Sequence, residues 1–286
     1  MANLKEIRNR ISSIGSTMQI TSAMKMVSAA KLKKAQDAIT AMRPYADKLT
    51  ELLQNLSATL EGDLGGTYTT PREVNKVLLV VINSNRGLCG GFNSSVFKAT
   101  VNAIEDKYKD VDVSILAIGK KANDLLSKQY NVINNQSNVY DTLSHANVSK
   151  IAESIMTQFT DGEFDKVELI YNKFKNAATQ ILTNEVYLPI EQTETESTSN
   201  LDYLYEPSKQ VIIDGLIPKS LKMQLYKAIR DSFAAEHGAR MTAMHKATDN
   251  ANDLRDELLL QYNKARQAAI TGEILEIVGG SEALNN

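Results

Sequence analysis

Apolar residues recur along the first 60 residues in alternating steps of three and four. A 3.5-residue period held for about eight heptads is typical of a left-handed coiled coil, and it predicts an N-terminal coiled-coil helix over residues 1–60. Thr21, Lys25 and Ser28 interrupt this seam, so either the partner helix is absent there or this face meets something polar. Pro44 predicts a kink or one loosened turn, because proline lacks the N–H of the helix. The apolar seam consists of Leu4, Ile7, Ile11, Ile14, Met18, Leu32, Ala35, Ile39, Met42, Ala46, Leu49, Leu53, Leu56 and Leu60.

The pattern changes after a glycine-containing stretch that ends at Pro71. Residues 77–82 are all apolar, which is typical of a strand buried on both faces. Alternating strands and helices predict a small α/β domain over 74–190 with a parallel or mixed sheet. We expect Asn93 or Ser94 to cap its first helix. The remaining predictions are strands at 111–118, 166–173 and 180–190, and helices ending near 109, at 120–129 and at 148–160.

Residues 191–208 are predicted to form an acidic connector, and residues 209–286 a second coiled-coil helix. No proline follows Pro218, so a helix from about 209 to 280 would extend roughly 100 Å at ~1.5 Å per residue. Its alanines would allow another helix to approach closely. We therefore predict an α/β protein in which the N- and C-terminal helices pair as a long antiparallel coiled coil, with the α/β domain inserted between them. The C-terminal helix is the longer arm.

Composition adds limits to this picture. The chain has 286 residues, 32 basic and 34 acidic side chains, and one cysteine. A net charge of −2 argues against bulk binding of nucleic acid, and one cysteine excludes an internal disulfide framework. Residues 1–60 nevertheless hold nine basic and four acidic side chains, whereas 191–206 hold five acidic and no basic ones. This asymmetry suggests two surfaces with different partners. We expect a cytoplasmic protein, because no apolar run is long enough for a signal or a membrane span.

The sequence gives only weak signals for a catalytic or ligand-binding site. The turn at 87–91 lies where α/β folds bind phosphate, but it has neither the Walker nor the dinucleotide spacing, and a tight packing turn explains it better. Cys89 would need a histidine base, and two of the three histidines, His237 and His245, belong to the predicted C-terminal helix. Their spacing of eight does not suit a metal pair, and the acidic connector lacks Ca²⁺-loop spacing. We expect no catalytic, cofactor or metal site.

Several segments resemble the gamma subunit of F-type ATP synthases. The resemblance rests on residues 14–32, 84–93, 202–207, 239–250 and 262–276, which follow the order of that family. It implies a Rossmann-like α/β domain and a non-catalytic central-stalk rotor. In the family, this rotor transmits rotation between the membrane c-ring and the catalytic ring of alpha and beta subunits.

The resemblance also implies partner contacts. Met24 and Lys25 should face an acidic beta-subunit lever, and Arg266, Gln267 and Thr271 should meet beta-subunit loops. The apolar bearing tip would consist of Ile270, Ile274, Ile277 and Val278. Tyr203, Tyr205 and Glu206 match the foot, near the c-ring loops and the epsilon subunit. The chain would then be a peripheral protein on the cytoplasmic face of the bacterial inner membrane, bound to the membrane only through the complex. One cysteine cannot form the regulatory disulfide of the chloroplast branch.

Two other classes stay open at this point. The first is a static coiled-coil adaptor or chaperone arm with an α/β head, which periodicity alone does not distinguish from a rotor. The second is a small-molecule-binding α/β enzyme with helical extensions. Copurification with several alpha and beta subunits favours the rotor, whereas nucleotide turnover by the isolated chain favours the enzyme.

Overall fold

The computed structural model describes residues 4–58, 68–70, 72–190 and 209–285. The chain divides into two compact units, one formed by residues 1–28 with 241–286 and the other by residues 29–240. The helices are α1 (Leu4–Ala58), α2 (Phe92–Asn102), α3 (Lys120–Leu126), α4 (His145–Thr160) and α5 (Lys209–Asn285). The strands are β1 (Lys76–Ile82), β2 (Asp112–Ile118), β3 (Val132–Asn135), β4 (Lys166–Phe174) and β5 (Gln180–Leu188). The predicted connector 191–208 lies outside the described residues, and the predicted domain limits stay a prediction.

The strands form one mixed sheet in the 29–240 unit, in the order β3-β2-β1-β4-β5. The central strand β1 pairs in parallel with β2 and β4, whereas β5 runs antiparallel to β4. Leu78, Val80 and Ile82 pack in a core cluster with residues of α4 and α5. The alternate residues of β1 pack in a second cluster with α2 and α3. Both faces of β1 are therefore covered, which explains why the strand is apolar throughout.

The helix α5, which was predicted to be a coiled-coil arm, also contributes residues to the core that covers one face of the sheet. Leu221, Leu225 and Ile229 are at most 1 % exposed and belong to the cluster that covers one face of the sheet. Burying side chains of this size stabilises a fold by about 2 kcal/mol each. Residues 209–240 of α5 thus belong to the same compact unit as the α/β layer.

The predicted seam of α1 is the buried line of that helix. Every seam position from Leu4 to Leu49, including the polar ones, is buried or half-buried. The side chains of Leu53 and Leu56, and the whole of Leu60, lie outside what the structure describes. The helix continues through Pro44 without interruption.

Contacts in the 1–28/241–286 unit show that the two helices are antiparallel, as predicted. The Oγ1 atoms of Thr21 and Thr248 are 2.8 Å apart, and Arg8 Nη2 donates to the hydroxyl of Tyr262 at 2.7 Å. From the first contact to the second, the residue number falls in α1 and rises in α5, so the two helices run in opposite directions. The polar interruption of the seam therefore faces a polar side chain of α5 at Thr21, rather than an absent partner.

One local prediction was wrong, and one short strand was not predicted. Gly91, and neither Asn93 nor Ser94, is the N-cap of α2. The side chain of Asn93 is instead engaged with Ser84, whose Oγ lies 2.8 Å from Asn93 Oδ1. The strand β3 was not predicted, because it has only four residues, and pairing with β2 stabilises it rather than its own propensity.

Candidate partner-binding surfaces

The last part of α5 carries seven of the predicted contact residues, and all of them are exposed. At ~100° per residue these seven positions fall within an arc of about 140° on one side of the helix. The arc combines apolar side chains with a cation and hydrogen-bonding groups, so it presents a mixed surface to a partner. Leu275, 66 % exposed just beyond the arc, was not predicted. The seven residues are Arg266, Gln267, Ile270, Thr271, Ile274, Ile277 and Val278.

The α1 surface predicted to contact a partner is only partly open. Met24 and Lys25 are half-buried in the 1–28/241–286 unit. The large apolar side chains of Ile20, Met26 and Val27 are 60 %, 69 % and 57 % exposed. Sequence reasoning missed these three residues, although their apolar character at off-seam positions was the available signal. Ile20 and Val27, seven residues apart, lie on one side of the helix, and exposed apolar side chains that share a face are typical of an interaction surface.

The predicted foot residues Tyr203, Tyr205 and Glu206 lie outside the described residues. Their contacts with the c-ring or the epsilon subunit therefore stay a prediction.

The edge of the sheet where α/β proteins bind ligands is filled by the chain's own groups. That crevice lies between the carboxyl ends of β1 and β4, where the strand order changes direction. Asn172, at the end of β4, donates through Nδ2 to the carbonyl of Phe92 at 3.0 Å and lies 3.2 Å from Ser95 Oγ. The start of α2 is thus bonded to the sheet, and Cys89 of the turn lies in a cluster with Phe174 of β4, in line with the interpretation of a packing turn.

Cys89 does not have the surroundings of a nucleophile. Its side chain is 2 % exposed and packs with Phe92 and Ala235. Burial raises the pKa of the Cys89 thiol above its ordinary value, which disfavours the reactive thiolate. The Nδ2 of Asn93 donates to its Sγ at 3.2 Å.

The histidines are equally unsuited to acid–base chemistry at this site. Burial, followed by the positive charges of Arg240 and Lys31, lowers the pKa of His237 to about 3. That imidazole is therefore neutral throughout the physiological range. His245 is exposed and pairs with Asp249 at 3.1 Å. In the described part of the chain, no group of three or more His, Cys, Asp or Glu residues could hold a metal ion.

Arg240 connects α5 to the turn and was not predicted. Its guanidinium donates through Nη2 to the carbonyl of Arg86 at 3.0 Å, and through Nη2 and Nε to that of Gly87 at 3.3 Å. The same Nη2 lies 2.7 Å from Glu236 Oε1. Residues more than 150 positions apart are joined here, so no local pattern could have indicated the contact.

A surface cleft of about 300 Å³ lies between β3 and α4. Its polar lining consists mainly of side-chain amides, such as those of Asn134, Gln136 and Gln158, with Lys150 as the charged residue. None of the helices described by the structure is long and apolar enough to cross a membrane.

These features define a helical stalk subunit. The two ends of the chain pair as antiparallel helices, an α/β layer is inserted between them in sequence, and exposed apolar residues lie near the C-terminus. This arrangement presents surfaces that partners can contact.

Comparison with known proteins identifies the family. The family model described as ATP synthase matches residues 3–284. The ATP synthase gamma chains of Flavobacterium johnsoniae and Christiangramia forsetii are 68 % and 62 % identical to this chain, each over 100 % of both proteins. A chain of the Tetrahymena thermophila mitochondrial ATP synthase central stalk and c-ring is 25 % identical with a TM-score of 0.61, covering 80 % of this chain and 99 % of that one. A rotor chain of the Euglena gracilis enzyme, 20 % identical, shares the fold with a TM-score of 0.67, covering 93 % of this chain and 98 % of that one. The chain belongs to the ATP synthase gamma chain family, whose members are non-catalytic subunits of that complex.

Proposed function

We propose that this chain is the central-stalk rotor that transmits rotation between a membrane c-ring and the catalytic ring of alpha and beta subunits. The observation that carries the proposal is the antiparallel pairing of residues 1–28 with 241–286, in a chain related over its full length to gamma chains. The paired helices supply a stiff element, because a buried seam and interhelical hydrogen bonds oppose separation of the two helices.

The exposed arc of α5 supports contact with the alpha and beta subunits. Arg266, Gln267 and Thr271 offer charge and hydrogen bonds to beta-subunit loops. Ile270, Ile274, Ile277 and Val278 would form an apolar bearing, because apolar contact is non-directional and does not hold one angular position. Near the seam, Met24 and Lys25 would face an acidic lever of the beta subunit. The foot, Tyr203, Tyr205 and Glu206, would meet the c-ring loops and the epsilon subunit.

We expect the complex to place this chain at the cytoplasmic face of the bacterial inner membrane. Affinity purification of the chain from its source tests the assignment. One copy of the chain should copurify with several alpha and beta subunits. Recovery without alpha or beta subunits would exclude the rotor and favour a static adaptor.

The contact at Lys25 gives a sharper test. Lys25→Glu places a like charge against the acidic lever, which should weaken that contact by about 1 kcal/mol and lower the number of protons pumped per ATP hydrolysed. The measurement is ATP-driven proton pumping and ATP hydrolysis in membrane vesicles that contain the whole complex.

Two further variants control this test. Lys25→Arg keeps the charge and should keep the coupling, whereas Lys34→Glu makes the same charge change on an exposed position of the same helix. Unchanged coupling in Lys25→Glu, or an equal loss in Lys34→Glu, would remove Lys25 from the contact.

A further inference from the structure

The loop at residues 84–93, which we call the 84–93 loop, is held at two points by buried polar contacts. On the side of α5, Arg240 is 7 % exposed and binds two successive carbonyl oxygens of the loop while it pairs with Glu236. Hydrogen bonds to a charged donor are worth about 1.5–3 kcal/mol, and those with buried partners are costly to break. The arginine therefore ties the loop to the helix α5.

Within the loop, a second set of contacts closes the chain on itself. Ser84 Oγ lies 2.7 Å from the carbonyl of Arg86 and 2.8 Å from Asn93 Oδ1. The other amide atom of Asn93, Nδ2, donates to the Sγ of Cys89, a buried residue of the same loop. The two ends of the loop and its buried cysteine therefore form one connected network.

Leu88 lies in the part of the loop that this network holds in place, and it is exposed. Its φ is 61°, which makes it the single non-glycine residue with a positive φ in the described part of the chain. Its side chain is 65 % exposed. A leucine in the left-handed region costs roughly 1–2 kcal/mol, and this residue gains no compensating burial in the chain. Strain of this kind persists where surrounding contacts impose it, and it occurs most often at functional positions.

We propose that Arg240 is a positioning residue of the rotor, which locks the 84–93 loop to α5 so that Leu88 is held outward as a rigid contact point. The inference rests on the proposed function, because a displayed apolar residue matters only in an assembly. Its structural half, the locking of the loop, is independent of the assembly. A displacement of α5 in this unit is then transmitted directly to the loop rather than absorbed by it.

The single cysteine of the chain reports on the lock. Cys89 belongs to the 84–93 loop and is 2 % exposed because it packs with Ala235 of α5, so its reaction with a maleimide requires the loop to separate from the helix. In the purified full-length chain, Arg240→Ala should increase the rate of Cys89 labelling at least about tenfold, because Glu236 and two carbonyl groups lose their partner. Glu236→Gln keeps a polar partner for the arginine and should give an intermediate rate.

Arg230 provides a matched control on the same helix. Its Nη2 donates to the carbonyl of Leu143 at 2.7 Å and to the hydroxyl of Tyr226, away from the 84–93 loop. Arg230→Ala therefore removes a similar arginine–carbonyl contact and should leave Cys89 labelling at the wild-type rate. Labelling of Arg240→Ala that is no faster than that of Arg230→Ala would overturn the proposal.

The second measurement uses the assembled complex. Leu88→Ala should label at Cys89 like wild type, yet lower the protons pumped per ATP hydrolysed at least about twofold, and Arg240→Ala should lower that ratio as well. Unchanged coupling in Leu88→Ala would overturn the role of Leu88 while leaving the rotor assignment intact. Failure of the wild-type chain to copurify with alpha and beta subunits would instead contradict the proposed function. The Cys89 labelling rates would still test the locking of the loop, because they are measured on the isolated chain.

Discussion

The hydroxyl pair between the two helices allows a quantitative test of the coiled coil. Thr21 Oγ1 and Thr248 Oγ1 are 2.8 Å apart, and each also contacts a carbonyl of its own helix, Met18 O at 3.1 Å and Met244 O at 2.8 Å. Valine has nearly the same shape as threonine and a similar helix propensity. Thr21→Val and Thr248→Val therefore each remove the interhelical hydrogen bond together with one contact to a carbonyl of the same helix.

The geometry sets the expected size of the effect. Each single variant loses one hydrogen bond between neutral groups, worth about 1 kcal/mol, and leaves the other hydroxyl facing a methyl group. The double variant places two methyl groups against each other and leaves no hydroxyl facing a methyl group. It should be close to wild type in stability, so with single losses of about 1 kcal/mol each the coupling energy of the cycle is about 2 kcal/mol.

Hydrogen exchange of the full-length chain measures this local effect. A change of 1 kcal/mol alters the exchange of amides that open with the 1–28/241–286 unit by about fivefold. Both single variants should exchange faster in residues 15–28, and the double variant should return toward wild type.

Thr17→Val is the matched control for this cycle. The Thr17 hydroxyl bonds to the carbonyl of Ser13 in its own helix and is exposed. Its removal should change stability by less than about 0.5 kcal/mol. If the double variant lost the full sum of the two single variants, Thr21 and Thr248 would not interact, and the assignment of this pair would be wrong.

Two further predictions concern the α/β layer. Gly119 has φ 117°, and a Cβ there would lie 2.3 Å from the carbonyl oxygen of Asn83, so Gly119→Ala should cost more than about 3 kcal/mol in urea unfolding. Gly162→Ala, at φ 77° in open space, should cost only about 1 kcal/mol, and equal costs would contradict this reasoning. The pKa of His237 is about 3 in the folded chain, so its imidazole stays neutral at higher pH. In the unfolded chain the same imidazole binds a proton below about pH 6.5. Its contribution to stability is therefore lost as the pH falls from 6.5 toward 3, and wild type should lose about 2 kcal/mol more than His237→Phe between pH 7 and pH 5. Urea unfolding at both pH values measures the difference, and equal acid sensitivity of the two proteins would show that His237 is not buried in its neutral form.

Local periodicity was a reliable guide to the elements. The 3.5-residue seam of α1 coincides with its buried line as far as Leu49, and residues 77–82 form the strand buried on both faces. Both patterns depend on which face of a helix or strand is buried, and the order of apolar and polar residues along the chain determines that face. The seven α5 residues were predicted from the family resemblance, and their exposure agrees with the prediction that the C-terminal helix is the longer arm.

Predictions failed where a residue's role depended on a distant partner. Asn93 has the chemistry of a helix cap, but Ser84 and Cys89 engage its side chain, so the helix begins at Phe92. The short strand β3 contains two asparagines and forms because β2 lies beside it. Local propensity does not include such contacts, and they outweigh it.

From the sequence alone, the α/β class, the antiparallel helical ends and the family resemblance could be determined, because they rest on periodicity and on contiguous segments. Tertiary structure decided that Thr248 faces Thr21, that Arg240 binds the carbonyl groups of the 84–93 loop, and that α5 is a layer of the α/β core. The threonine pair joins residues 227 positions apart and the Arg240–Arg86 contact joins residues 154 positions apart, so both form only when the chain has folded. A one-dimensional pattern shows that a side chain must be buried, whereas the folded chain determines which group it is buried against.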